Sequence, residues 1–245
     1  MKLWGVVLGA AWGCIDPTMI LANIYVRSRF LSGGVMLRRN IVLTTALYVQ
    51  HKMEDISVSL QRHADPAARD LAPRFEVIGL AMHPEFQHLR EPVNNIALLM
   101  IENTERLGCQ AALDISRLSS ETGRDMVMVG WGYKKEYWEE VEALKEIKLP
   151  IFFFFHCSYI VFEYEGHKLN QTIEFCAGTE DGNPDAATVT HGSPLLYVDS
   201  GVLTLVGLHS FTVLSKDMKN SPNVFTRIHT FVPWILETLR GDDYE

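Results

Sequence analysis

SGGVMLRRNIVLTTALYV, Ser32 to Val49, sets the texture of the whole chain: short apolar runs cut at Ser32-Gly33-Gly34 and again at Arg38-Arg39-Asn40. From Asn23 to Val49 this is the pattern of strand, turn and strand in an antiparallel sheet. It returns at Phe75 to Met82, Ile96 to Ile101, Met126 to Gly130, Leu195 to Tyr197, Val202 to His209 and Val224 to Ile228. Short strands at this spacing, with no helix of crossover length between them, predict an all-β fold of barrels or sandwiches rather than a parallel doubly wound sheet. The one helical pattern is terminal. Phe231, Val232, Trp234, Ile235 and Leu239 recur at helical spacing, with Pro233 in the first turn, which predicts a helix over 231–240. Glu102 to Asp125, richer in charge, Ser and Gly, reads as a surface connection between two halves.

Composition bounds what such a fold does. Of 245 residues 47% are apolar and 21% charged, enough for a large core and unlike a disordered or collagen-like chain. Lys and Arg number 22 against 30 Asp and Glu, and the net charge of -8 disfavours a partner made of phosphate backbone or anionic lipid. Leu3 to Cys14 is the longest apolar run near the start and falls short of the roughly 20 residues a membrane-spanning helix needs. Neither nucleic acid nor membrane insertion is expected.

Lys2 followed by LWGVVLGAAWGC has the charged start and apolar middle of a secretory signal, with Ala11 and Gly13 at the positions a signal peptidase reads. Residues 1–13 are therefore expected to be a leader, with cleavage after Gly13; retention as a buried strand is the alternative. In an exported chain Asn170-Gln171-Thr172 is a glycosylation acceptor. The cysteines Cys14, Cys109, Cys157 and Cys176 lack the paired spacing of a zinc site, and their even number suggests one or two disulfides. No metal and no cofactor is implied.

Six blocks, in order, carry a family likeness. Ser32 to Val49 is similar to CGGSLIxxxWVLTAAHC, and NNIALLMI at 94–101 to NDIALLKL. VGWGY at 129–133, EFCAG at 174–178, GSPLLY at 192–197 and NVFTRIHTFVPWILETL at 223–239 follow in sequence. The chain resembles the chymotrypsin/trypsin-like serine proteases over nearly its whole length. That resemblance implies two packed six-stranded antiparallel β-barrels with an active site between them and a C-terminal α-helix. The first barrel is placed at about 20–105, the linker at 106–124 and the second barrel at 125–230, within a domain of 14–245.

The family's chemistry needs a serine nucleophile, a histidine base and an aspartate that orients the base. Leu47 stands at the histidine position, and leucine has no nitrogen to accept a proton. Asn95 stands at the aspartate position; where the rest of the triad is intact, that exchange alone lowers turnover about ten-thousandfold. His191 stands at the serine position, since VTHGSP occupies the place of GDSGGP. Val189 falls on the glycine whose N–H helps to form the oxyanion hole, and Thr190 on the aspartate that receives the N-terminal amine at activation. Asp185, Ser210, Thr212 and Asn223 are the remnant of the substrate pocket, with Thr212 and Asn223 in place of glycines so that the pocket is narrowed or filled. The likeness pairs Cys157 with Cys176, while Ser32 and Tyr48 replace the bridge beside the histidine position; Cys14 and Cys109 have no family match and either pair with each other or do not.

His191 without a Ser, Cys or carboxylate partner reads as a packing residue before a catalytic one, and Ser193, before Pro194, has no histidine assigned to activate it. His83, Glu85 and His88 fit a structural HPxF loop better than a metal site. Ile151 is followed by Phe152, Phe153, Phe154 and Phe155. A strand buries such a run on both faces or turns some rings outward as a partner surface. The expectation is a secreted, non-catalytic protease homologue that binds extracellular proteins, such as a protease, inhibitor or receptor. The alternatives are residual or rewired hydrolysis around His191, and a structural role.

Overall fold

The computed structural model describes residues 17–38, 40–60, 71–102, 111–114, 118–133, 141–178, 186–213 and 222–241. The leader over 1–13, Cys14, Cys109 and Asp185 lie outside these residues, as does most of the interval 103–117.

Six strands close the first barrel in the order β1-β2-β3-β6-β5-β4. They are β1 (Leu21–Val26), β2 (Arg29–Arg38), β3 (Ile41–Thr44), β4 (Ile56–Leu60), β5 (Arg74–Met82) and β6 (Ala97–Ile101). Every neighbouring pair is antiparallel. The consecutive apolar residues of β3 and β6 follow from burial on both faces. Val42, Ala97, Leu99 and Ile101 point into the barrel, joined by Met36 and Val58. Their alternates Ile41, Leu43 and Leu98 pack outward, with Val35 and Leu37, into a second core.

That second core is the seam of the molecule, because Val129, Leu196, Leu205 and Leu208 of the other half meet it there. Two strand breaks differ from expectation. Ser32-Gly33-Gly34 is no turn: β2 runs through it, and a Cβ on Gly34 would press on Leu43 O and Val42 Cγ1, each at 3.0 Å. The chain instead reverses at Arg27 and Ser28, both at positive φ (48° and 68°) with no glycine or asparagine to announce it.

The other half is a seven-stranded sheet in the order β10-β13-β12-β11-β8-β9, with β7 (Ala112–Leu113) added in parallel to β12. Its remaining strands are β8 (Asp125–Tyr133), β9 (Val141–Pro150), β10 (Glu174–Ala177), β11 (Pro194–Asp199), β12 (Val202–Thr212) and β13 (Asn223–Arg227). The ends of this sheet meet through the single bridge Ile151↔Ala177, so closure is looser than the second six-stranded barrel expected. The supposed surface connection is partly interior: Leu113 and Asp114 are buried, and the Asp114 carboxylate accepts the backbone N–H groups of Leu118 (3.2 Å) and Ser119 (3.4 Å).

Among the described residues two α-helices follow the strands of the second half. In α1 (Phe154–Glu165) Cys157, Ile160 and Val161 face inward at helical spacing, and Gly166, at φ 68°, ends the helix by donating its N–H to Phe162 O at 3.0 Å. The C-terminal helix, α2 (Ile228–Thr238), begins three residues earlier than predicted because β13 runs directly into it. Pro233 therefore stands in the second turn, where one intrahelical hydrogen bond is forgone. Phe231 and Ile235 anchor the helix in the seam.

Candidate functional site

The seam brings Leu47, Asn95, Ser210 and His191 together. Leu47 sits in a 3-10 turn (Ala46–Tyr48) after β3, and its backbone N–H donates to Asn95 Oδ1 at 2.9 Å. Asn95, 1% exposed before β6, uses Nδ2 to donate to Ser210 Oγ at 3.0 Å, and its carbonyl accepts Thr226 Oγ1 at 3.1 Å. Ser210, on β12, presents its carbonyl to His191 Nδ1 at 2.6 Å. A carbonyl only accepts, so Nδ1 carries the proton and the neutral ring keeps its acceptor at Nε2. The His191 carbonyl in turn receives the Gly33 N–H (2.7 Å) and Ser32 Oγ (3.0 Å), which ties the loop before β11 to the first barrel. Gly192, at φ 75°, makes this approach possible: a Cβ there would collide with Gly33 O.

His191 is half-buried and stacks on His209, with centroids 5.3 Å apart and planes within 7°. Burial lowers the basicity of His191 in spite of its bond to Ser210 O. The same cause, reinforced by the neighbouring His191, pushes His209 down to about 3. Tyr48 lies against His191 at 5.2 Å, and burial together with Tyr133 pushes its phenol up to about 12. The histidine pair and Tyr48 are thus neutral at physiological pH. They line a cavity of about 310 Å³ with Tyr133, Val189 and Thr212.

The polar groups around the cavity are engaged with one another. The Val189 N–H donates to Ala186 O at 3.2 Å across the 3-10 turn Ala186–Thr188. Thr190 Oγ1 pairs with Ser193 Oγ at 3.1 Å, and both residues are buried. Ser193 fills the space left by Gly130, where a Cβ would overlap its hydroxyl. Thr212 Oγ1 lies 2.9 Å from His209 Nε2 and donates to Asn223 Oδ1 at 2.8 Å, so the two residues expected to narrow the pocket are bonded to each other. His209 is the site residue that sequence reading missed. It sits in an ordinary strand pattern, and only the β12 register opposite Ser193 and Phe225 brings it against His191.

Cys157 and Cys176 form a disulfide between α1 and β10. The Phe run, expected as strand, divides at the start of α1. Phe152 is buried and Phe154 half-buried, whereas Phe153 and Phe155 are 56% and 69% exposed. Tyr159 and Phe162 continue the exposed face at helical spacing. Asn170 is exposed, and its Oδ1 accepts the Thr172 N–H at 3.0 Å. His83 packs on Phe231 and Trp234, both at 5.1 Å, while His88 Nδ1 lies 3.1 Å from Gln50 Oε1; the two rings serve different neighbours. Among the described residues no three His, Cys, Asp or Glu side chains group as metal ligands, and no helix is long and apolar enough to cross a membrane.

Comparison with known proteins places this geometry. Tissue-type plasminogen activator of Homo sapiens is 27% identical over 234 residues, covering 86% of this chain and 40% of that protein. Mast cell protease 8 of Mus musculus is 27% identical over 217 residues, covering 87% of this chain and 81% of that protein. The chain spans about two fifths of the length of the plasminogen activator and 37% of ovochymase-2 of Mus musculus. Among solved structures, neuropsin, a serine protease expressed in the limbic system of mouse brain, shares the fold with a TM-score of 0.72 at 22% identity, over 91% of this chain and 95% of that one. A family model described as Trypsin matches residues 17–235, and with the two-halved β architecture this establishes that the chain belongs to the trypsin family.

Proposed function

We propose that this chain is a secreted, non-catalytic member of the trypsin family that works by binding proteins, as a regulator or cofactor in an extracellular proteolytic pathway. The observation that carries the proposal is the bond from Leu47 N–H to Asn95 Oδ1. It keeps the backbone frame of a triad while the side chain in the base position is aliphatic and cannot take a proton. The engaged Val189 N–H and the Thr190–Ser193 pair support the same reading, because an oxyanion needs N–H groups aimed at it and a nucleophile needs a base. A disulfide is at home in an oxidising compartment, which supports secretion. The exposed rings of Phe153, Phe155, Tyr159 and Phe162 supply an apolar surface of the kind partners use.

Hydrolysis rebuilt around His191 is the second reading. It is favoured by one feature: Nδ1 is fixed on Ser210 O, which leaves Nε2 as a base beside the 310 Å³ cavity. A fluorophosphonate probe separates the two. The proposal expects no covalent labelling of the folded protein; labelling that disappears in His191→Ala supports the second reading and overturns the first.

A further inference from the structure

A cavity of about 420 Å³ opens beside the start of α1 and shares no lining residue with the cavity at His191. Phe153, Phe155, Ser120 and Thr230 are among its lining residues, as is Arg227 of β13, only 4% exposed. The guanidinium lies over the Phe175 ring at 4.9 Å, and its hydrogen bonds among the described residues go only to neutral acceptors: Nη1 donates to Ser119 O (2.8 Å), Ser119 Oγ (2.9 Å) and Ser120 Oγ (3.3 Å), and Nη2 to Glu174 O (3.1 Å). Nε is buried without a hydrogen-bond acceptor among the described residues. The charge is real at neutral pH, since burial, opposed by Asp114, lowers the group only to about 10. Asp114 gives its own oxygens to the backbone of Leu118 and Ser119.

A buried guanidinium with an unused donor is costly, and a protein that keeps one gains most from an acceptor carrying negative charge. We propose that this cavity binds a carboxylate on an apolar body: the carboxylate engages the Arg227 guanidinium and the apolar part lies on Phe153 and Phe155. A single arginine suits a monoanion better than a phosphate monoester, whose charge of roughly -2 calls for more than one cation. The aromatic wall asks for carbon rather than for water. The inference stands whether or not the cleft at His191 is catalytic.

Calorimetric titration of the folded chain with 3-phenylpropionate, beside the neutral 3-phenylpropionamide, tests it. The acid is expected to saturate one site and the amide to bind at least about tenfold more weakly, as loss of one charge-assisted contact implies. Phe153→Ser with Phe155→Ser, at exposed positions, should weaken the acid severalfold and leave thermal unfolding unchanged. Arg227→Gln should abolish the preference for acid over amide; should that variant fail to fold, the phenylalanine variant and the amide still decide. A peptide ending in free rather than amidated Phe, run beside octanoate, tells whether a chain terminus or a fatty acid is the better source; binding of either supports the proposal. Equal affinity for acid and amide, unchanged binding by the phenylalanine variant, or no saturation by any carboxylate to about 10 mM overturns it.

Discussion

Asn95 Oδ1 accepts the backbone N–H of Leu47 at 2.9 Å, while Nδ2 of the same amide donates to Ser210 Oγ at 3.0 Å. A carboxylate cannot donate, so the amide fixes Ser210 as an acceptor and binds the two halves of the molecule without any buried charge. Asn95→Ala leaves the Leu47 N–H and the buried Ser210 hydroxyl without these partners. The expected loss is about 2–4 kcal/mol in urea unfolding. A loss below that range would mean that water replaces the amide.

The stacked histidines give the fold a defined response to acid. His209, held at about 3, stays neutral when folded but takes up a proton near pH 6.5 when unfolded, so its contribution is present above that pH and is lost as the medium is acidified. By pH 5 the loss from this ring amounts to about 2 kcal/mol, and His191 adds to it in the same direction. His167, whose burial is outweighed by Glu174 and Glu91 so that its basicity rises, works with the opposite sign above pH 6.5. Stability measured from pH 7 to pH 5 should fall in the wild type and fall less steeply in His209→Phe. Identical slopes contradict the assignment.

Much of this architecture can be read from the chain. The double-sided apolar runs of β3 and β6 announce strands buried on both faces, and Phe231, Ile235 and Leu239 announce the terminal helix. Other features hide for physical reasons. Arg27 and Ser28 make a turn with residues that favour none, whereas Gly33 and Gly34 look like a turn but are small because Ser193 N, at 3.2 Å from a Cβ on Gly33, and Leu43 crowd a strand. The Phe run reads as strand by propensity, yet the bonds from Phe152 N–H to Cys176 O and Cys157 N–H to Phe153 O turn it into a helix. Leu47, Asn95 and His191 could be named as site positions from the blocks around them. His209 could not, since nothing local marks its neighbour across the sheet.

The disulfide joins residues 19 apart in sequence. Closing a loop of that size is worth about 3 kcal/mol in the chain-entropy account. Cys157→Ala with Cys176→Ala should lower the urea midpoint correspondingly while preserving the β signature in circular dichroism. Unchanged stability would contradict the account.

Gly192 is required twice, by its φ of 75° and by the Gly33 carbonyl and Ser32 hydroxyl, which occupy the space a Cβ would take. Gly192→Ala should cost about 3 kcal/mol or more, through strain and the loss of the bonds that His191 O accepts. Gly166→Ala, at φ 68° but with nothing within 4 Å of an added Cβ, is the control and should cost only about 1 kcal/mol. Equal costs would show that backbone conformation alone, and not the contact between the two halves, sets the requirement at Gly192.

The central claim is that the chain binds proteins and that its cleft does not turn over substrate. Its most direct test is the hydrolysis of a panel of activated esters and peptide amides by the purified wild type, with His191→Ala as the paired control. The account predicts rates equal to buffer for both proteins across pH 6 to 9. Saturable turnover by the wild type that is lost in His191→Ala would contradict it and show that the stacked histidine is a working base.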